Sequence, residues 1–179
     1  YVPETYADFS DYLKRNIFPN ENKQYTFYDL TGDGVDEMLL GYDGAFVEFL
    51  TMRDGEVVSE IYGTTYLCQG NVWEQYDPPE RYWDSKSVDG GYRDMIVSVK
   101  REGSQWYRSY DIYERDKTEI SHDEAAAIIA KYPRTQLDWK PLMDYPLDES
   151  GLTLGSYLKA KDVQPSDDEL LRIYKDCLS

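Results

Sequence analysis

The order of the predicted elements indicates an α+β protein. One helical pattern comes first, a long run of strand patterns separated by turn signals follows, and capped helical patterns come last. Strands that follow one another without intervening helices pair as an antiparallel meander, whereas βαβ units would alternate strand and helix. We therefore predict an antiparallel, meander-type β-sheet of about 7–9 strands, flanked by an N-terminal helix and C-terminal helices.

The length of the chain fits one domain, 1–179. Its 179 residues suffice for one hydrophobic core, and no tandem repeat is present in the sequence. We place the N-terminal helix at 3–18, the β-rich core at 24–120, and a helical and loop-containing part at 121–179.

The N-terminal helix is predicted from the spacing of its apolar side chains. Four of them recur at three- and four-residue intervals and so share one helix face: Tyr6, Phe9, Leu13 and Ile17. Pro3 is tolerated in a first turn, and Pro19 ends the pattern. We expect the apolar face to cover one face of the sheet.

Turn signals divide the β-rich core into strands. The predicted strand pairs are 25–30 with 37–42, 45–52 with 56–62, 65–68 with 72–76, and 95–101 with 105–115. Asp54-Gly55 lies between two alternating runs and is the strongest of the hairpin signals. The stretch 77–91 contains a Pro-Pro and a Gly-Gly pair, so we predict it to be irregular or edge-like.

Capping boxes begin the C-terminal helices. In each box a serine is followed three residues later by a glutamate: Ser121 with Glu124, and Ser166 with Glu169. The first box opens a helix at 125–132 that Pro133 ends, and the second opens a helix at 170–174. The segment 135–164 is predicted to be mostly loop, with a short helix near 152–158.

An excess of acidic residues limits the partners of the protein. The formal net charge is −16, and the isoelectric point is about 4.3. This charge repels phosphate backbones and anionic lipids, so we expect no nucleic-acid binding and no peripheral membrane binding. No apolar run reaches the roughly 18 residues of a transmembrane helix. The charge attracts cations, including metals, although solubility alone accounts for most of these acids.

The two cysteines, Cys68 and Cys177, can form one disulfide or none. On the chain-entropy model, a bridge over so long a loop would stabilise the fold by roughly 4 kcal/mol. The two residues do not form a Cys-x-x-Cys pair, so a zinc ribbon and a thioredoxin-like motif are excluded.

A short segment between two strand patterns concentrates oxygen-bearing side chains. It reads Asp29-Leu30-Thr31-Gly32-Asp33-Gly34-Val35-Asp36-Glu37. Ca²⁺ binds six to eight oxygens at short range, and alternate side chains of a tight loop can turn inward together. Glycines allow the positive φ angles that such a loop needs. We predict that five residues bind Ca²⁺, Val35 through its backbone carbonyl and the others through side chains: Asp29, Thr31, Asp33, Val35 and Glu37.

Two helical calcium motifs are excluded for this loop. The EF-hand needs a glutamate at loop position 12 and a helix on each side. Position 12 is Leu40, and both flanks are strand patterns. The dockerin motif fails for the same missing acid. An ordinary Gly-rich hairpin turn with solvated acids is the alternative that needs no metal.

A strand–loop–strand calcium motif fits the segment better. Together with the Met-Leu-Leu that follows it, the segment resembles the calcium loop of FG-GAP/VCBS-type repeats, whose pattern is Asp-x-Asn/Asp-Gly-Asp-Gly-x-x-Asp/Glu-Leu. It also resembles single copies of that loop in exported proteins and lipoproteins of bacteria, and this resemblance implies the same five ligands. Thr31 replaces the usual Asn or Asp. One copy cannot form a propeller, which needs several blades.

An aromatic and acidic stretch is the second candidate site. Four aromatic residues lie among acids there: Trp73, Tyr76, Tyr82 and Trp83. Exposed aromatic faces beside acids are typical of a sugar-binding platform, and also of an aromatic-rich sheet edge. The acids are Glu74, Asp77, Glu80 and Asp84, and two of them could pair as in a glycosidase.

The leading hypothesis is a non-catalytic module, because no catalytic constellation is found. His122 is the single histidine, and Gly-x-Gly-x-x-Gly, Walker and nucleophile-elbow motifs are absent. The calcium loop would fix the register of its flanking strands. The alternatives are a carbohydrate- or cell-surface-binding domain and a small carboxylate-dependent hydrolase. We expect a monomer outside a bacterial cell or at its surface, its signal peptide absent from this sequence, with a glycan or protein partner.

Overall fold

Within the described residues (4–19, 21–76, 80–84, 94–161, 172, 174–175 and 177–178), the computed structural model contains one antiparallel sheet and three helices. The strands are β1 (Gln24–Tyr28), β2 (Glu37–Tyr42), β3 (Ala45–Arg53), β4 (Glu56–Cys68), β5 (Val72–Tyr76), β6 (Glu80–Asp84), β7 (Met95–Glu102), β8 (Gln105–Ser109), β9 (Thr118–Ile120) and β10 (Lys140–Pro141). Their order in the sheet is β10-β1-β2-β3-β4-β5-β6-β7-β8-β9. The predicted α+β fold with a meander-type sheet is confirmed.

The sheet has ten strands in the described part of the chain rather than about 7–9, because three strands come from segments that were not predicted as strands. β6 lies inside 77–91, β9 follows the predicted strand 105–115, and β10 lies inside the predicted loop 135–164. β10 is two residues long and pairs with β1 at the edge of the sheet. Two residues give no periodicity, and an edge strand tolerates Pro141, so no local pattern reveals this pairing.

The hairpin between β3 and β4 forms as predicted. Asp54 and Gly55 adopt φ angles of +52° and +78°, which match the twist of the flanking strands. The segment 65–68, predicted as a separate strand, is the end of β4, which is 13 residues long. The first half of β4 pairs with β3, and its last four residues pair with β5.

β8 ends at Ser109, short of the predicted Arg115. The carboxylate of Asp116 accepts hydrogen bonds from the backbone N–H groups of Tyr110, at 2.9 Å, and Asp111, at 3.3 Å. These bonds take the place of ladder bonds to a neighbouring strand, so the chain folds into a tight turn. A side chain that competes with the ladder in this way is not visible in the alternation of the sequence.

Helix α1 (Phe9–Asn16) is shorter than the predicted 3–18. Asp8 is extended, and its carboxylate accepts a hydrogen bond from the N–H of Asp11 at 2.7 Å. Such an N-cap fixes the start of a helix. Pro3 lies outside the described residues.

Helices α2 (His122–Ala130) and α3 (Leu154–Lys161) follow the strands. The Ser121 hydroxyl accepts a hydrogen bond from the N–H of Glu124 at 3.1 Å, so the serine of the first predicted capping box is the N-cap of α2. α3 lies close to the short helix predicted near 152–158, and the second capping box, 166–169, lies outside the described residues. No helix of the described residues is long and apolar enough to cross a membrane.

Both faces of the sheet are covered at β2. Beneath α1 and α3 lies one apolar cluster that includes Leu13, Met38, Leu40, Leu50, Leu154 and Leu158. The opposite face carries a second cluster, Leu30, Leu39, Phe46, Phe49, Leu67 and Trp73. Strand side chains alternate between faces, so Glu37, the first residue of β2, lies on the side of the second cluster. Its exposed fraction is 2%.

Residues 133–139, which we call the strap, run from α2 towards β10. Two backbone hydrogen bonds of 2.9 Å join the strap to β4 and the turn after it: Gln69 N–H to Pro133 O, and Thr135 N–H to Leu67 O. Leu137 and Trp139 pack against the second apolar cluster. The strap is therefore fixed to the sheet at both its ends.

Both cysteines are free thiols, which answers the question left open by their spacing. Cys68 is buried at the end of β4, and Cys177 is exposed. Burial raises the pKa of the Cys68 thiol to about 12, and the Glu74 carboxylate adds to this effect. The buried thiol is therefore protonated and unreactive at neutral pH.

Candidate metal centre

The predicted calcium loop is the connection between β1 and β2. The two strands are antiparallel, and Tyr28 pairs with Glu37 at the base of the loop. Gly32 and Gly34 adopt φ angles of +76° and +86°, as the sequence predicted. This left-handed conformation lets eight residues turn within the width of two strands, and glycine adopts it without strain.

Asp29 holds the loop in its turned conformation. Its two carboxylate oxygens accept hydrogen bonds of 2.8 Å from the backbone N–H groups of Gly32 and Gly34. Hydrogen bonds to the ionised form, above all that from Gly34, lower the pKa of Asp29. Asp29 is therefore ionised at neutral pH, and each oxygen keeps a lone pair for another partner.

Glu37 is the buried member of the site. Its Oε2 accepts a hydrogen bond from the N–H of Leu30 at 2.6 Å, while its Oε1 lies 3.4 Å from the hydroxyl oxygens of both Thr31 and Thr51. Burial raises the pKa of Glu37, the Leu30 N–H opposes that rise, and the carboxylates of Asp33 and Asp29 add to it. The long contacts of Oε1 leave this oxygen poorly satisfied inside the protein.

The loop brings four of the five predicted ligands together. One carboxylate oxygen from each of Asp29, Asp33 and Glu37 lies within 4.8 Å of the others. The Thr31 hydroxyl lies 3.5 Å from Asp29 Oδ1 and 3.4 Å from Glu37 Oε1. The donor set is oxygen only, as hard cations such as Ca²⁺ prefer. A bound cation would satisfy the buried Glu37 oxygen and offset the repulsion between the carboxylates.

Val35, the fifth predicted ligand, lies in the same loop. Its N–H donates a hydrogen bond of 2.9 Å to Asp33 Oδ1, and its side chain is exposed. Ligation by its backbone carbonyl stays a prediction. Asp36 is exposed and does not belong to the carboxylate group.

Thr51 of β3 completes the surroundings of Glu37 and was not predicted. A regular hairpin built from the Asp43-Gly44 turn would place Met38 opposite Phe49. A bulge between Leu40 and Gly41 shifts the register by one residue, and Met38 lies opposite Leu50 instead. The shift brings the buried Thr51 hydroxyl to Glu37. The glycine at the bulge is the one signal in the sequence that could have suggested it.

The predicted aromatic platform is wrong for two of its four residues. Trp73 and Tyr82 are both 0% exposed. Trp73 packs edge-on against Phe46 with ring centroids 5.0 Å apart, and Tyr82 stacks on Tyr132 at 4.5 Å. These rings fill the interior, so they cannot form a surface for a sugar.

Of the other two platform residues, the structure describes the side chain of one. Trp83 is partly buried against the second apolar cluster. The side chain of Tyr76 lies outside the described residues.

Of the acids in that stretch, Glu74 has a fixed partner. It is 4% exposed, and its Oε1 accepts a hydrogen bond of 2.7 Å from Nη2 of Arg134 in the strap. Burial raises the pKa of Glu80, and the nearby Glu74 adds to the rise. An ion pair this close holds a carboxylate in place, so Glu74 joins the strap to β5. Asp77 and the side chain of Asp84 lie outside the described residues.

Comparisons with known proteins give no further guide to the site. No family model matches the chain, no curated protein matches it, and no solved structure matches it. The resemblance to the FG-GAP/VCBS-type calcium loop therefore stays a prediction that rests on the residues of the loop.

Proposed function

We propose that the chain is a non-catalytic, exported module in which the β1–β2 loop binds a structural Ca²⁺ ion. The observation that carries this proposal is the approach of three carboxylates, Asp29, Asp33 and Glu37, to within 4.8 Å of one another. One of the three is buried and has an oxygen with only long hydrogen bonds. Such a group gains most from a cation, because water does not reach it.

The chemistry of the donors favours calcium over transition metals. Side-chain oxygens of Asp29, Thr31, Asp33 and Glu37 and the carbonyl of Val35 would hold the ion, and neither histidine nor cysteine contributes. Zinc and copper sites use nitrogen and sulfur ligands, whereas Ca²⁺ takes oxygens in flexible geometry. The ion would supply positive charge between the carboxylates.

The role of the ion would be to hold the β1–β2 hairpin together. Asp29 directly follows β1, and Glu37 begins β2, a strand that is buried on both faces. Any ligand that binds only the folded state stabilises it, by about 1.4 kcal/mol at ten times its dissociation constant. For a chain of this length that corresponds to a rise in melting temperature of roughly 3–6 °C.

The test is thermal unfolding of protein treated with EDTA, then dialysed and titrated with CaCl₂ at constant ionic strength. We expect the melting temperature to rise at millimolar CaCl₂, with heat of binding in calorimetry. Asp33→Asn removes one charged ligand and should abolish most of the rise. The matched control is Asp36→Asn, which removes an exposed acid of the same loop that lies outside the carboxylate group.

Two results would overturn the calcium proposal. One is a melting temperature that does not respond to millimolar CaCl₂ in the wild-type protein. The other is an equal loss of response in Asp33→Asn and Asp36→Asn, because the effect would then reflect total acidic charge instead of one site.

We place the module outside the cell or at a bacterial cell surface, as a monomer with a glycan or protein partner. Extracellular calcium modules bind with dissociation constants as weak as roughly 10⁻⁴ to 10⁻³ M, which suits a site with one hydroxyl in place of a carboxylate. The net charge of −16 supports a role away from nucleic acids. Cell fractionation would test the location, and sedimentation equilibrium would test the monomer.

A further inference from the structure

We propose that a second site, a cavity between the β2–β3 turn and the strap, binds one ring of a neutral saccharide. The cavity measures about 220 Å³, and its polar and aromatic lining comes from Asp43, Tyr66, Arg134, Thr135, Gln136 and Trp139. It is separate from the metal centre, because the β2–β3 turn and the β1–β2 loop lie at opposite ends of β2.

The walls of the cavity are fixed before any ligand arrives. The N–H of Thr135 donates to Leu67 O at 2.9 Å, and Trp139 packs against the second apolar cluster. On the opposite wall, Asp43 and Gly44 form a tight turn with φ angles of +52° and +82°. A preformed cavity loses little conformational entropy on binding, so even a small ligand can bind measurably.

Arg134 has a defined orientation in this cavity. Its Nη2 donates to the buried Glu74 at 2.7 Å, and its guanidinium carbon lies 3.5 Å from the centre of the Tyr66 ring. The side chain remains 49% exposed. A guanidinium held on one side by a carboxylate and on one face by a ring presents its remaining N–H groups in a fixed direction.

Three more polar side chains line the cavity and are accessible to a ligand. Within the described part of the chain, no residue forms a hydrogen bond or ion pair with the side chain of Asp43, Thr135 or Gln136. Together with Arg134 they offer donors, an ionised acceptor, a hydroxyl and an amide around one small space. Convergent polar groups beside an aromatic side chain are among the features of a small-molecule site.

The charges of the cavity disfavour an anionic ligand. The charge of Arg134 is offset by Glu74, and Asp43 adds a negative charge in a protein of net charge −16. An anion would therefore be repelled. A sugar ring presents hydroxyl groups that both donate and accept, and its apolar face can contact the half-buried Trp139.

The test is calorimetry and saturation-transfer NMR with neutral tetrasaccharides of glucose, mannose, galactose and N-acetylglucosamine, each at millimolar concentration, with tetragalacturonate as the anionic probe. We expect at least one neutral probe to bind and the anionic probe not to bind. Asp43→Asn should weaken that binding about tenfold, which is 1.4 kcal/mol. Gln136→Ala should weaken it several-fold.

The control variant is Asp54→Asn. Asp54 opens the next Asp-Gly turn along the chain and has the same φ of +52° as Asp43, but it does not line the cavity. Asparagine tolerates a positive φ, so both variants should fold equally well. Binding should be unchanged in Asp54→Asn.

Three outcomes would overturn the saccharide proposal: no binding of any neutral probe, binding of tetragalacturonate alone, or equal losses in Asp43→Asn and Asp54→Asn. All titrations are run with EDTA and with CaCl₂. Binding in EDTA would support the saccharide site whether or not the loop binds calcium, so the two proposals can fail separately.

Discussion

The protonation state that Glu37 favours without a cation is the opposite of the one that a cation needs. Burial raises the pKa of Glu37, so in the absence of a cation its carboxyl group is protonated more readily than that of a glutamate in water. A cation needs the ionised form. A proton and a calcium ion therefore compete for the same oxygens, and binding weakens as the solution becomes acidic. Burial thus raises the free energy of the ionised Glu37 carboxylate when no metal is bound, and it strengthens the attraction between that carboxylate and a bound cation.

Asp111 gives a prediction for the pH dependence of stability. The hydrogen bonds from the Arg115 side chain, helped by its backbone N–H, lower the pKa of Asp111 to about 2. A lowered pKa stabilises the fold above the ordinary value of 3.8, and this contribution is lost as the pH falls towards 2. We expect Asp111→Asn to melt below the wild type at pH 7 and the difference to shrink below pH 4.

Circular dichroism melts of the two proteins at several pH values between 7 and 2 would check this expectation. Glu119→Gln is a suitable control, because Glu119 is exposed on β9 and its side chain has no hydrogen-bond partner among the described residues. A difference that persists unchanged to pH 2, or one that is already absent at pH 7, would show that the Arg115 pair does not stabilise the turn.

At the scale of elements, the bulge where β2 pairs with β3 decides which side chains meet Glu37. Gly41 makes the bulge possible, because a Cβ atom there would lie 1.9 Å from the backbone oxygen of Ala45. Without the bulge the β2–β3 register would shift by one residue, and Thr51 would leave the face it shares with Glu37. One glycine of β2 therefore helps to place Thr51 of the neighbouring strand beside Glu37.

Gly41→Ala should accordingly be strongly destabilising. Since the obstructing atom belongs to the backbone, the strands must separate or shift, and we expect the free energy of unfolding to fall by at least about 2 kcal/mol. The control is Gly63→Ala in β4, where a Cβ atom meets nothing within 4 Å and the change should stay within about 1 kcal/mol. Urea denaturation measures both. Similar values for the two variants would contradict the argument.

The features that the sequence predicted correctly are those formed by residues close together in the chain. The Asp54-Gly55 turn and the Ser121 cap involve residues within four positions of each other, and both form as predicted. The carboxylates of the loop also converge as their spacing indicated, because all of them lie within nine residues of one turn. The end of β8 and the start of α1 were predicted wrongly. At each of them an aspartate side chain, Asp116 or Asp8, accepts a hydrogen bond from a backbone N–H group.

The remaining contacts depend on residues far apart in the sequence. Arg134 reaches Glu74, and β10 pairs with β1, without any periodicity that links the partners. The burial of Trp73 and Tyr82 has the same origin, since the rings that cover them, Phe46 and Tyr132, belong to other hairpins and to the segment after α2. Composition marks such residues as aromatic, but only the assembled sheet decides whether they are exposed.

At the scale of the whole molecule, charge opposes folding. The chain has 35 acidic residues and 19 lysines and arginines, so its folded form concentrates a net charge of −16. Self-repulsion of this kind destabilises a compact state. Several acids are relieved locally by ion pairs, as Glu102 is by Lys117 and Lys100, but most of the excess is uncompensated.

We therefore expect the melting temperature in EDTA to rise when NaCl is increased from about 0.01 M to 0.15 M, because the screening length falls from about 30 Å to about 8 Å. KCl at the same concentration should give the same rise, which would separate screening from specific sodium binding. A flat or falling melting temperature would mean that the surface ion pairs stabilise the fold more than the repulsion destabilises it.

The pairing of β10 with β1 joins an early strand to a late one, so the order of synthesis affects when the edge of the sheet is covered. Neighbouring strands of the meander can pair soon after they leave the ribosome, since each hairpin closes a short loop. The outer edge of β1 at Gln24 and Tyr25 stays open until Lys140 and Pro141 have been made. An open edge strand is a template for a second polypeptide. The nascent chain is therefore most prone to aggregate through β1 before its last third emerges.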